Sequence, residues 1–240
     1  AATVMLVRDT PTGLEVYMVQ RPGRGDFPDL HVFPGGKVDE EDWQPELCFG
    51  IDDVQASARL GINRGGLRYW MAVARECFEE CGVLLVHQRG AALDFSEPGV
   101  SEKYAAYRER LLDNELTFTD ICAAEALTVS CHSLAYFSHW ITPEMAPRRF
   151  DTLFVLAAMP AHQDTLAHTS ETADDQWEKP GEALAKYHAK QWQMIDPTLR
   201  SLETLSQFDD VASALAGVNE GKHLMPLTPE LNRQGMQTLR

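Results

Sequence analysis

The sequence predicts a mixed α/β protein in which a mixed sheet lies between helices. Three observations carry this. Residues 3–8 (TVMLVR) and 15–20 (EVYMVQ) are strand-like runs joined by a turn at Asp9–Gly13, the pattern of an antiparallel hairpin. Residues 67–81 (LRYWMAVARECFEEC) have strong helical periodicity and stop at Gly82. Further strand-like runs at 133–141 and 152–159 follow helical stretches, without the regular alternation of a doubly wound parallel sheet.

The other elements follow in order. A short strand at 31–33 (HVF) runs into the breaker Pro34-Gly35-Gly36. Residues 37–66 are acidic and irregular, with a helix expected around Asp52–Leu60. VLLV at 83–86 is a short buried strand or helix exit, and 101–127 reads as two helices with Tyr104, Tyr107, Leu111 and Leu112 on one face. Pro143–Arg149 connects the two later strands, and 162–176 is a polar loop. Pro180 opens a helix over 181–190, since its missing N–H costs nothing at a first helical position. A further helix fits Thr198–Phe208, and a weakly structured tail follows from Gly217. The expected organisation is a domain over 1–210 and a C-terminal extension over 211–240.

Composition narrows the function. The chain has 240 residues, 44% hydrophobic and 24% charged, which suits a globular domain with a real core. Its 21 Lys and Arg against 36 Asp and Glu leave a net charge of −15. Such a field repels nucleic acid and anionic membrane surfaces, so neither is an expected partner. A phosphate-bearing small molecule would need a metal ion or a local Arg cluster. Five cysteines without C-x-x-C spacing, no basic-then-apolar leader, no membrane-length apolar run and a TLR ending together lead to a cytoplasmic expectation. A homodimer is compatible with the sequence, which does not fix the oligomeric state. No H-E-x-x-H, P-loop or G-x-S-x-G pattern occurs, which sets aside zinc-protease, P-loop and serine-hydrolase chemistry.

One helix carries the chemistry. At about 100° per residue, Glu76, Glu79 and Glu80 share a face, while Trp70, Ala74, Cys77, Phe78 and Cys81 cover the opposite one. Such a trio is often only a solvated face. Its company is distinctive: Arg75 before it, Gly82 after it and a Pro-Gly-Gly turn upstream. Three like charges raise one another's pKa unless a cation intervenes, and oxygen-only ligands suit Mg²⁺ or Mn²⁺.

The segment Gly36 … Arg75-Glu76-Cys77-Phe78-Glu79-Glu80-Cys81-Gly82-Val83 resembles the Nudix box, G-x5-E-x7-R-E-U-x-E-E-x-G-U with U apolar. Two departures stand in its first half. Asp42 occupies the place of the first Glu, and 32 residues separate it from Arg75 where the box has 7. An insertion at about 43–66 accounts for this and is expected to form a wall or lid beside the metal site. The branch similar to nucleoside diphosphate-linked moiety X motif nineteen interrupts the box at this place. Gln20-Arg21-Pro22, His31–Gly36, His139–Glu144, Pro147–Thr152 and Trp177 to Leu184 are also similar to that branch, so the resemblance covers roughly residues 3–205.

The resemblance implies a Nudix α/β/α sandwich with a mixed sheet and extra C-terminal helices. It implies metal ligation by Glu76, Glu79, Glu80 and the Gly36 carbonyl, with Arg75 orienting a carboxylate and Asp42 standing in for a Glu that orients Arg75. The expected reaction is Mg²⁺- or Mn²⁺-dependent pyrophosphate hydrolysis of a small nucleotide substrate. Coenzyme A or acyl-CoA is foremost, cut to a phosphopantetheine and adenosine 3′,5′-bisphosphate. An ADP-ribose or dinucleotide pyrophosphatase, and a non-catalytic nucleotide-binding regulator, are the alternatives. Glu79 or Glu80 is the expected general base, with Glu171 the rival and Asp174 or Asp175 behind it. Arg21, Arg24, Arg148 and Arg149 are the candidate phosphate clamps. Phe33, Tyr69, Trp140 and Trp177 either stack on adenine or pack in the core.

Overall fold

The computed structural model describes residues 1–23, 29–142, 150–166 and 173–221, and the backbone of 237–239. Strands β1 (Ala2–Thr10) and β2 (Gly13–Gln20) form the expected hairpin, with Val7 opposite Val16 and Thr10 opposite Gly13. β3 (His31–Val32) pairs with β2, and β4 (Gly35–Gly36) with the start of β1. Helices α1 (Asp53–Leu60) and α2 (Leu67–Cys81) follow. Next come β5 (Val86–Gln88), β6 (Ala91–Ala92), α3 (Val100–Leu112), α4 (Phe118–Glu125) and β7 (Leu127–Val129). The chain continues through β8 (Ala135–Ile141), β9 (Asp151–Ala158), β10 (Asp174–Glu178), α5 (Pro180–His188), α6 (Asp196–Leu205), α7 (Val211–Asn219) and β11 (Gln237–Leu239).

Among the described residues the main sheet runs β10-β2-β1-β9-β8-β11, with β3 and β4 attached to β2 and β1. β1 and β9 are parallel and the other pairs antiparallel, so the sheet is mixed as the sequence predicts. Alternation along β1 and β2 explains their unbroken apolar runs. Val4, Leu6, Tyr17 and Val19 face α2, α3 and α4, meeting Trp70, Cys77, Phe78, Tyr104 and Ile121. Met5, Val7, Val16 and Met18 face the opposite layer, meeting Ala183, Leu202, Leu205, Val211 and Ala214. Helices therefore cover both faces, and α2 lies along the first. No described helix is long and apolar enough to cross a membrane.

Several elements differ from expectation. Asp174–Glu178, which begins inside the expected polar loop over 162–176, is a strand because the free edge of β2 pairs with it from Gln20 to Val16. Residues 83–85 are buried but precede the strand, which starts at Val86. A 3₁₀ turn takes Cys131–Ser133, which delays β8 to Ala135. Gly217, expected in a loose tail, lies within α7, which is past the expected boundary at residue 210. Val211, Ala214 and Val218 of that helix join the second core, and the Val211 N–H reaches Asp9 Oδ1 at 2.9 Å. Gly217 packs where a Cβ would strike the Phe208 ring at 2.5 Å. The connection at 143–149 lies outside the described residues.

The insertion fastens the start of α2. Asp53 accepts from the N–H of Leu67 at 3.1 Å and of Gly65 at 2.9 Å, and Ser57 Oγ accepts from Gly66 N–H at 2.9 Å. These occupy amide donors at the start of α2 that have no intrahelical partner, and place a negative charge at the positive end of the dipole. Gly66 is required by the approach, since a Cβ there would lie 2.3 Å from Ser57 N. Despite burial, the amide bonds hold the Asp53 carboxyl below its ordinary 3.8. Asp53→Ala is expected to lower unfolding free energy by about 1 kcal/mol in urea titrations at pH 7. A depressed folded pKa adds stability that is complete above the unfolded value and lost as pH falls through the folded one. The gap between wild type and Asp53→Ala should therefore narrow below about pH 4, and a gap independent of pH would contradict the carboxylate cap.

Candidate functional site

Arg75 leaves α2 one residue before the acids, and all five of its N–H donors find oxygen. Nε donates to Asp42 Oδ1 at 2.9 Å and Nη2 to Asp42 Oδ2 at 3.0 Å, a two-pronged pair. Nη2 also reaches the Lys37 carbonyl at 2.7 Å. Nη1 bridges two acids of the trio, Glu76 Oε1 at 2.9 Å and Glu79 Oε2 at 3.2 Å. Burial works against the guanidinium charge, but the Asp42 hydrogen bonds and the charges of Glu76, Asp42 and Glu79 outweigh it and lift the Arg75 pKa. Asp42 is itself buried, in a 3₁₀ turn over Glu40–Asp42, where its Oδ2 also accepts the Asp39 N–H at 2.8 Å.

Residues separated by the whole insertion thus meet as one cluster. Trp43 begins the insertion immediately after Asp42, and α1 returns the chain to the foot of α2. The first half of the box is assembled by chain return, with Asp in the place of Glu.

The Gly35–Gly36 strand lies over the acids. Gly35 N–H donates to Glu80 Oε2 at 2.8 Å. A Cβ on Gly36 would come within 2.5 Å of both Glu76 oxygens, and one on Gly35 within 2.2 Å of the Ala2 carbonyl oxygen. Glycine is required at Gly35, where φ is positive and the Ala2 and Thr3 backbone is the neighbour, while at Gly36 a side chain would displace the Glu76 carboxylate. Glu76 is 7% exposed. Burial pushes its carboxyl up to about 7, opposed by Arg75 and assisted by Glu79 and Asp42. The protein thus holds clustered acids that favour an added positive charge.

Among the described residues no three acids, imidazoles or thiols already converge as a metal cage. Glu76 and Glu79 are turned to Arg75 Nη1, and Glu80 to the Gly35 amide. The donor set nonetheless fits a hard divalent cation: three carboxylates on one helical face, with the Gly36 backbone so close that a Cβ there would lie 2.5 Å from the Glu76 oxygens.

The remaining predicted residues divide. Arg21 is half-buried at the end of β2, its N–H on the Leu30 carbonyl at 2.9 Å. Arg24, Arg148, Arg149 and Glu171 lie outside the described residues. The chain on either side of Glu171 is anchored: Leu166 N–H donates to the Cys81 carbonyl at 2.7 Å, and Ala173 N–H to Gln20 at 2.8 Å. Asp174 is exposed, and Asp175 accepts the Tyr17 hydroxyl at 2.6 Å. Phe33 and Trp140 are buried in the core on the sheet face away from α2, which removes them as adenine platforms. Tyr69 and Trp177 are half-buried on the α2 side, with Arg8 4.2 Å over the Trp177 ring. Cys77 and Cys81 are buried free thiols.

Sequence reasoning passed over two residues that act on α2, Asp53 and Arg108. Asp53 sits just after Asp52, the N-cap of α1, and its bond to Leu67 depends on how α1 folds back. Arg108 lies between Tyr104 and Leu111 on a face that periodicity assigns to the core, and a cation there was its signal.

Comparison with known proteins follows the same lines. The family described as NUDT19 Nudix domain matches residues 64–205, more than half of the chain. Acyl-coenzyme A diphosphatase NUDT19 of Homo sapiens is 26% identical over 235 residues, covering 82% of this chain and 61% of that protein. The enzyme of that name from Gallus gallus is 25% identical over 244 residues, with 84% and 63% covered. The chain thus spans about three fifths of the length of these relatives. The crystal structure of a NUDIX hydrolase from Alicyclobacillus acidocaldarius superposes with a TM-score of 0.70 at 23% identity, covering 90% of this chain and 94% of that one. That likeness shows a shared fold.

Removing the Asp42 carboxylate leaves two guanidinium donors without their partner. Asp42→Ala should lower unfolding free energy by about 2–3 kcal/mol, with a smaller loss for Asp42→Glu, as measured by urea denaturation. Equal stability of Asp42→Ala and wild type would show that Arg75 is not held as described.

Proposed function

The chain belongs to the NUDT19 Nudix domain family, and from that premise we propose that it is a divalent-cation-dependent pyrophosphohydrolase of coenzyme A or acyl-CoA. The observation that carries the reading is Arg75, which joins Asp42 to Glu76 and Glu79 across the insertion. Support for the substrate comes from relatives named as acyl-coenzyme A diphosphatases.

In this reading Glu76, Glu79 and Glu80 hold Mg²⁺ or Mn²⁺, with the Gly36 backbone beside them. When bound, the cation neutralises pyrophosphate charge and acidifies water. Every other task falls to the chain. Arg75 keeps Glu76 and Glu79 at one point and offsets part of their mutual repulsion. Glu79 or Glu80 accepts a proton from the attacking water, and Glu171 is the competing base. Attack breaks the P–O–P linkage and leaves two phosphate monoesters. Arg21, Arg24, Arg148 and Arg149 are proposed to bind phosphate. That local positive charge matters in a chain of net charge −15. The insertion is proposed as a wall of the site, starting at the exposed Trp43 next to Asp42.

The test is turnover with Mg²⁺ across CoA, an acyl-CoA, ADP-ribose, NADH and a diadenosine polyphosphate. CoA or acyl-CoA should give the highest kcat/KM and release adenosine 3′,5′-bisphosphate. A higher value for ADP-ribose or a dinucleotide would replace the substrate, and no turnover of any would favour a binding role. Glu80→Gln should lose at least about a hundredfold in kcat. Unchanged turnover in that variant, with loss in Glu171→Gln, would move the base to the loop. Trp43→Ala should change the ratio of kcat/KM between a long-chain acyl-CoA and CoA by about tenfold. An unchanged ratio would remove Trp43 from the wall.

A further inference from the structure

The turn of α2 that carries Glu79 and Glu80 is also the end of the helix. The last four carbonyls of a helix have no intrahelical donor. Three are accounted for here by different means. Gly82, with φ of 72°, donates to Phe78 O at 2.9 Å. Leu166 N–H donates to Cys81 O at 2.7 Å. The carbonyl of Glu79 receives two donors from one side chain, Arg108 Nε at 3.1 Å and Nη2 at 2.8 Å.

Arg108 belongs to α3, far from the box in sequence, and is 6% exposed. It lies between Tyr104 and Leu111, both buried, where an amphipathic helix ordinarily puts an apolar residue. A Cβ on Gly82 would lie 3.3 Å from Nη1, so the guanidinium fills the space against the helix stop. Burying a guanidinium is costly, and cheaper apolar side chains would fill the same volume. Among the described residues its hydrogen bonds go to one carbonyl, that of the residue whose side chain faces Arg75 on the other side of the helix.

We infer that Arg108 is a positioning residue: through the Glu79 carbonyl it fixes the backbone of the acid-bearing turn, and so sets the affinity of the site for its divalent cation. The inference rests on the reading that Glu76, Glu79 and Glu80 hold that cation. Its positive charge also sits at the negative end of the α2 dipole, behind the acids. Arg75 therefore orders the trio from the side-chain face, and Arg108 from the backbone.

The experiment uses the full chain with Arg108→Met, Arg108→Lys and, as a control on the exposed side of α3, Arg110→Ala. Mn²⁺ binding is measured by calorimetry without substrate, and kcat is followed against Mg²⁺ concentration with CoA. Amide exchange is measured by mass spectrometry across residues 79–86. Arg108→Met should bind Mn²⁺ about tenfold more weakly, the low end for loss of an outer partner of a ligand. Half-saturating Mg²⁺ should rise by a similar factor, kcat at saturating Mg²⁺ should stay within about threefold, and exchange in the last turn should speed up. Arg108→Lys should lie between, and Arg110→Ala should match wild type. A folded Arg108→Met with a lowered Tm but unchanged Mn²⁺ affinity would overturn the inference and leave Arg108 a packing residue. If Arg108→Met does not fold, Arg108→Lys decides, and wild-type Mn²⁺ affinity in it counts against the inference. Wild type that binds no Mn²⁺ and hydrolyses nothing would overturn the metal-site reading itself, and this inference with it.

Discussion

A half-buried guanidinium surrounded by oxygen acceptors organises this protein's acid cluster. Arg75 spends all five donors on four groups: Asp42 twice, the Lys37 carbonyl, Glu76 and Glu79. The cost of desolvating it is met only if that geometry is complete. Completion needs Asp42 within bonding distance, although 32 residues intervene in sequence. The path of the insertion is constrained accordingly. It must leave from a 3₁₀ turn that buries Asp42 and come back to start α2 at Leu67.

The insertion meets that constraint by becoming part of what it interrupts. Asp53 and Ser57 of α1 take up the leading amides of the helix that bears the acids. At the other end, Arg108 and Leu166 supply donors to the trailing carbonyls. Both ends of α2 are thus fastened by segments outside the box motif, while its apolar face is fixed by Trp70, Cys77 and Phe78 in the core. A helix held on three sides presents its fourth, with its closely spaced acids, with little freedom.

Electrostatics explains why such restraint is required. Glu76 is buried beside Glu79 and Asp42, and its carboxyl is pushed up to about 7 even with Arg75 in contact. The cluster is under-neutralised in a protein already acidic overall. Gly36, with no Cβ, lets the adjoining strand lie close to the Glu76 oxygens. The same strand sends the Gly35 N–H to Glu80. A site of this kind is held away from its electrostatic optimum by packing, and positive charge is what relieves it.

The sequence by itself determined the sheet-and-helix architecture, the presence of the first hairpin, though its strands run further into the expected turn, and the full extent of α2 with its Gly82 stop. These are set by local periodicity and by glycine's tolerance of positive φ, which act within a few residues. It also determined that Glu76, Glu79 and Glu80 share a face, because helical spacing alone places them there. Only the tertiary structure decided the partners that lie far away in the chain. Asp53 on the start of α2 and Arg108 on the Glu79 carbonyl are chosen by how loops return, and so is the closing of Asp42 on Arg75, a pair that the family resemblance implied. No periodicity encodes that, and each residue type is equally at home on a solvated surface. The same holds for β10, whose polar sequence reads as loop and becomes strand because an open edge of β2 supplies its hydrogen bonds. It holds too for Phe33 and Trp140, since a strand's aromatic residues take the face that the sheet's register assigns, and here it is the one turned away from the acids.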